Sequence, residues 1–182
     1  METPSPVSGP TTLNQTGWLG TYFAFHAWLS RVCLKLAVAG LLLITAAVLY
    51  QIFGRYVLND SPAWTEIFAL VLVLWVTCFA AAVGVRDDRH IGVESILMLA
   101  PPRIRRMGLI FVYLGMIVFG LCMAWGGAIL SEEMWAYINP GLPISQAWSY
   151  IPLALGGLLI ALFAVERIVA AVLGIKVVAS WH

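Results

Sequence analysis

Three short stretches hold most of the residues able to do chemistry. The first, FGRYVLNDSPAWTEIF, carries Arg55 and Glu66 on either side of a turn, with Trp64 between them. Ser61–Pro62 has the form of a helix start, serine as cap and proline at the first helical position. Glu66 then falls in the opening turns, where a negative charge suits the helix dipole. Arg55 and Glu66 can pair across the hairpin, or stand apart as a snorkelling arginine and a helix-start acid. As a cation ligand Glu66 is poor, because no second carboxylate lies within a turn. The second stretch, GVRDDRHIGVE, places His90 and Glu94 four apart, so on a helix they face each other. Two ligands without others nearby do not make a metal site, and the spacing reads as a polar pair on a surface helix. The third, SEEMWAYINPGLPISQAWSYIPLALGG, puts Glu132, Glu133, Pro143 and Trp148 around a stiff Pro/Gly turn. That turn suits contact with an external partner or serves as a plain linker.

No cofactor is expected. Cys33, Cys78 and Cys122 lie in or beside apolar runs at no metal-binding spacing. His26, His90 and His182 fall outside the apolar spans, which leaves no axial ligand for a haem within them. No catalytic residue stands out, and the chain does not read as an enzyme.

The elements that must position these residues follow from composition. Of 182 residues 62% are apolar and only 10% charged, with a mean hydropathy of +0.92. A soluble domain is about 25% charged, so this chain belongs in a bilayer. The net charge of +1 draws in no nucleic acid. Charged residues delimit four apolar spans, at about 32–54, 63–85, 107–131 and 147–173, each long enough for a hydrocarbon core of about 30 Å. Backbone polar groups in lipid must satisfy themselves, and the runs do not alternate, so these are helices rather than barrel strands. The fold class is an all-α integral membrane protein, one four-helix membrane domain over 18–182 behind a Pro/Ser/Thr-rich mobile tail over 1–17, which does not read as a signal peptide.

Orientation follows from lysine and arginine. Of the ten, all but Arg55 fall on one side, which predicts both termini in the cytoplasm. Trp64, Trp135 and Trp148 then mark the outer boundary, Trp28 and Trp181 the inner one. Short interfacial helices are expected in two places. Trp18, Tyr22, Phe25 and Leu29 form an apolar stripe on a helix lying along the inner leaflet or bent into the first span. Residues 91–100 form another, followed by Arg103, Arg105 and Arg106, which suit topology and lipid headgroup contact.

The central parts of the spans hold no Asp, Glu, Lys, Arg or His, and no repeat relates the two halves. A self-sufficient carrier usually has both. Gly126–Gly127, Gly156–Gly157, Ala80 with Gly84, and Gly157 with Ala161 suit close helix packing. An accessory or scaffold subunit is the reading by elimination.

Three blocks carry a resemblance. They are Gly54-Arg55-Tyr56-Val57-Leu58-Asn59 followed by Trp64-Thr65-Glu66; Arg86 with His90-Ile91-Gly92-Val93-Glu94; and Gly141-Leu142-Pro143-Ile144 followed by Trp148, Tyr150 and Pro152. In this order, with four spans, the chain resembles the small membrane subunit of tripartite ATP-independent periplasmic (TRAP) transporters. The resemblance implies a bacterial inner-membrane protein whose partners are a large membrane subunit, a periplasmic substrate-binding protein and membrane lipid. It implies sodium-driven uptake of an organic acid, with this subunit in the stationary frame. The alternatives are a membrane anchor for another complex, such as an oxidoreductase, and an independent homo-oligomeric carrier.

Overall fold

The computed structural model describes residues 18–59, 64–87 and 102–173. They form helix α1 (Trp18–Phe53), a π-helical turn (Gly54–Leu58), α2 (Trp64–Arg86), α3 (Pro102–Glu133), a 3₁₀ turn (Gln146–Ser149) and α4 (Ile151–Leu173). All four helices are long and apolar enough to cross a membrane. Within the four described helices proline occurs only at the first position of α3 and the second of α4, where no intrahelical N–H bond is lost.

Two boundaries differ from the sequence expectation. No separate interfacial helix precedes the first span: α1 runs unbroken for 36 residues, about 54 Å. The linking segment Leu29–Leu36 has neither proline nor glycine, so nothing interrupts its hydrogen bonds. Within this helix His26 is buried at 4% exposure, whereas Phe25 and Trp28 are exposed at more than half. The stripe is therefore divided, Tyr22 and Leu29 lying beside the buried face while Phe25 is exposed, and His26 lies inside the first candidate span rather than outside it. Likewise α3 starts at Pro102, taking in the arginine cluster. The tail expected over 1–17, Ser61–Pro62, the helix expected over 91–100 and both members of the His90–Glu94 pair lie outside the described residues.

The helices do not close into a ring. They stand in a row, α1 against α2, α2 against α4 and α4 against α3; α1 and α3 do not meet. One narrow stripe of α1 is buried, His26, Ser30, Cys33, Ala37 and Gly40, at alternating steps of four and three residues. Its small side chains allow close approach: a Cβ on Gly40 would lie 2.5 Å from Val76 Cγ2. The core sits between α2 and α4, where Ala82, Val85, Ile160, Phe163 and Ala164 pack together.

Between α3 and α4 the contact is backbone to backbone. A Cβ on Gly157 would lie 2.5 Å from both Ala124 N and Gly120 O, and one on Gly127 would lie 2.5 Å from Ala154 N. Such approach is how membrane helices gain dispersion energy without a hydrophobic driving force. Gly127, Gly156 and Gly157 pack as expected. Gly126 and Gly84 do not, for their Cβ positions meet nothing within 4 Å.

Candidate functional site

The two ends of the row differ in chemistry. At one end a buried ion pair joins α2 to α4. Arg86 Nε donates to Glu166 Oε2 at 3.1 Å and Nη2 to Oε1 at 3.4 Å. The side chains are 2% and 0% exposed. Arg86 is the last residue of α2, where the helix dipole favours a cation. Glu166 follows Phe163 by three residues and precedes Ala170 by four, so it falls on the buried face of α4. Taking two charges out of water is costly. The two-bond fork offsets that cost only while both partners remain.

Other polar groups surround the pair. Asp87 Oδ1 lies 3.9 Å from Arg86 Nη1. His26 and Arg167 act electrostatically on the same Glu166 carboxylate. The His26 ring stands 4.2 Å from that of Tyr22 and 6.2 Å from that of Phe163, and its Nδ1 is hydrogen-bonded to Tyr22 O at 2.8 Å. Helices α1, α2 and α4 thus each contribute a polar residue to one cluster. Arg86 lies about 33 Å along α2 from Trp64, which sets the cluster at the rim of a core about 30 Å thick. Such an arrangement can lock helices together; among the described residues no group of His, Cys, Asp and Glu has the makings of a metal site.

Sequence reasoning counted Arg86 among the cations that set orientation, ran the span over 147–173 across Glu166 without singling it out, and did not bring the two together. The available signal was register: on α4 the carboxylate shares a face with Ile160, Phe163 and Ala170, a position that needs a partner.

At the opposite end both described connections are shaped by specific backbone. The Gly54–Leu58 turn widens the helix, and Asn59, at φ 53°, ends it with its N–H bonded to Gly54 O. Arg55 and Glu66 are both exposed here, and no ion pair joins them. The expected hairpin clamp is therefore absent: Arg55 sits on the π turn and Glu66 on the first turn of α2. Aromatic rings meet instead, Tyr50 with Trp64 at 6.1 Å and Trp64 with Phe68 at 6.2 Å.

The second connection is an ordered turn. Leu142 N–H bonds to Asn139 O, and Gly141 at φ 90° takes the position of a type II turn that only glycine adopts freely. Asn139 N–H bonds to Ile144 O and Gln146 N–H to Tyr137 O, which closes the loop. The Ser145 hydroxyl accepts from Ala147 N–H and so caps the 3₁₀ turn. Trp75 of α2 donates its indole N–H to Trp148 O at 3.1 Å, and the two rings lie 6.2 Å apart. Glu132, Glu133, Pro143 and Trp148 are exposed on this connection, as are Trp135 and Tyr137, which the partner-contact reading had not included.

Comparison with known proteins agrees with this architecture. A family model described as "Tripartite ATP-independent periplasmic transporters, DctQ component" matches residues 44–174. The C4-dicarboxylate TRAP transporter small permease protein DctQ of Vibrio cholerae is 24% identical over 137 residues, 70% of this chain and 54% of that protein. The match thus spans about half the length of that relative. A Haemophilus influenzae protein named, provisionally, as a TRAP transporter small permease protein is 20% identical over 124 residues, 68% of this chain and 75% of its own.

Proposed function

This chain belongs to the DctQ-component family of tripartite ATP-independent periplasmic transporters, and from that membership we propose that it is the stationary membrane scaffold of a sodium-coupled, binding-protein-dependent transporter for an organic acid. It is a multi-pass protein of the bacterial inner membrane. On family grounds it is a transport subunit rather than an enzyme. Its partners in this reading are the large membrane subunit, the periplasmic binding protein and lipid. Both termini are cytoplasmic, so the Arg86 cluster faces the cytoplasm and the Gly141 turn the periplasm.

One observation carries the scaffold reading: α2, α3 and α4 are joined by contacts that have no room to slide, at Gly120, Gly127, Gly156 and Gly157. A frame against which a transport domain moves must not itself deform. The row also leaves large apolar faces uncovered on α1 and α3, which suits burial against a larger membrane subunit. Arg55, Trp64, Glu66, His90 and Glu94 are proposed to serve assembly. Glu132, Glu133, Pro143 and Trp148 are proposed to meet the binding protein.

Reconstitution tests this. The chain alone in liposomes should take up no solute. Together with the large subunit and the binding protein it should take up an organic acid, a C4-dicarboxylate being the first to try, under an inward sodium gradient. Sodium-driven uptake by the isolated chain would overturn the scaffold role. Co-purification with a redox subunit instead of a large permease would favour the membrane-anchor alternative.

A further inference from the structure

The outward face of α1 plays no part in packing the row, yet its residues follow a definite order. Trp28, Arg31 and Lys35 are exposed and fall on the side of the helix opposite its buried stripe. Phe25 stands beside Trp28, the two rings 6.2 Å apart. Toward the middle of the span the same face carries Val38 and Leu42, both more than half exposed. Counted from Phe53, Lys35 lies about 27 Å and Arg31 about 33 Å along the helix. They therefore stand on either side of the edge of a core about 30 Å thick.

These two charges are unmatched within the bundle. They are one turn apart, where like charges repel. Helix α1 holds no Asp or Glu in its 36 residues, and no ion pair among the described residues includes either cation. Arg31 Nε donates to Ala27 O at 3.2 Å, which leaves its terminal Nη groups to an outside acceptor. Side chains on a helix lean toward its N-terminus, so the Lys35 stem runs toward Arg31. Helix α1 packs on α2 and meets α4 only briefly, and both contacts lie on its other side.

We propose that this face of α1 binds one anionic phospholipid, with the phosphate between Arg31 and Lys35, the headgroup against Trp28 and Phe25, and the acyl chains along Val38 and Leu42. The sequence of aromatic rings, cations and apolar side chains along the helix is that of headgroup, phosphate and chain across a leaflet. An anionic lipid brings a net charge to match the pair, whereas a zwitterionic one brings its own cation with the phosphate. The lipid also has a mechanical effect. A 36-residue helix is longer than the core is thick, so its length does not fix its depth. A headgroup held at Arg31 and Lys35 does. The inference rests on α1 crossing the membrane and not on the transport role proposed above.

The test is photo-cross-linking of the full chain in nanodiscs of equal parts phosphatidylglycerol and phosphatidylcholine. Val38→p-benzoylphenylalanine places the reactive carbonyl on the apolar part of the face, and mass spectrometry of the adduct identifies the lipid seated there. Each cation near the surface favours an anionic lipid by about fivefold, so phosphatidylglycerol adducts should outnumber phosphatidylcholine adducts about thirtyfold. In Arg31→Gln/Lys35→Gln the ratio should fall to about one. Arg31→Lys/Lys35→Arg keeps both charges and should keep the preference. All these side chains are exposed, so the packed stripe of α1 is left intact. Equal adducts in the chain with both cations present, or a preference that survives the double glutamine variant, would overturn the proposal. So would an adduct to the large subunit in place of lipid once the two are assembled, since the face would then be a protein interface.

Discussion

Arg86 Nε and Glu166 Oε2 lie 3.1 Å apart although the residues are 80 positions apart in the chain. The pair holds the end of α2 against the buried face of α4 with a fork of two hydrogen bonds, and neither charge reaches water. Removal of one partner leaves the other charged and buried. Arg86→Gln and Glu166→Gln should each destabilise the chain by about 3–5 kcal/mol. The apolar double variant Arg86→Met/Glu166→Leu should recover most of that loss. Denaturant titration of the chain in detergent measures all three, and a double variant as damaged as the sum of the singles would mean that the pair does not act as a unit.

Gly157 and Gly126 should separate two kinds of glycine. A Cβ at Gly157 runs into the backbone of α3, which cannot yield, so Gly157→Leu should cost about 1–3 kcal/mol and loosen α3 from α4. Gly126→Ala meets nothing within 4 Å and should change stability by no more than about 0.5 kcal/mol. Equal effects in a thermal-unfolding assay would contradict the packing described.

Arg55 and Glu66 should behave independently. They are exposed and unpaired with each other, so the effects of Arg55→Gln and Glu66→Gln on recovery with the large subunit should add within about 0.5 kcal/mol in the double variant. A clear departure from additivity would show that the two meet in the assembled complex.

Trp75→Phe keeps the ring but removes the donor to Trp148 O. A cost of about 0.5–1.5 kcal/mol is expected, with faster hydrogen exchange confined to the 134–150 connection. Unchanged exchange there would mean that the turn is held by its own hydrogen bonds alone.

Orientation is accessible by labelling. In a cysteine-free background, Pro143→Cys should react with an impermeant reagent from the periplasm, and Ser5→Cys only after the membrane is opened. Periplasmic reactivity at Ser5 would reverse the proposed topology.

Much of the fold was legible because lipid leaves few options. Runs such as Ile67–Val85 have no charge and no proline, and a backbone in hydrocarbon must pair with itself, so helix is the one answer available to an open chain. The Asn139–Leu142 turn was legible for a local reason too, since Pro-Gly in sequence sets the two central φ angles. The join at Leu29–Leu36 was harder. Charges at Arg31 and Lys35 suggest the edge of a membrane, but they are good helix formers and do not end a helix.

The sequence by itself determined the medium, the helices and the chemistry of their ends. Each follows from interactions within about a turn of helix or from transfer between water and lipid, and neither depends on which helix lies beside which. The tertiary structure alone decided the order α1–α2–α4–α3, the union of Arg86 with Glu166, the burial of His26 and the separation of Arg55 from Glu66. Apolar helices in lipid have no hydrophobic preference for one neighbour over another, so their order rests on backbone fit at Gly40, Gly120, Gly127, Gly156 and Gly157. That fit depends on crossing geometry in three dimensions. Once it is set, the rotation of α2 and α4 about their axes places a guanidinium and a carboxylate face to face, and leaves the two charges at the other end of the row without a partner in each other.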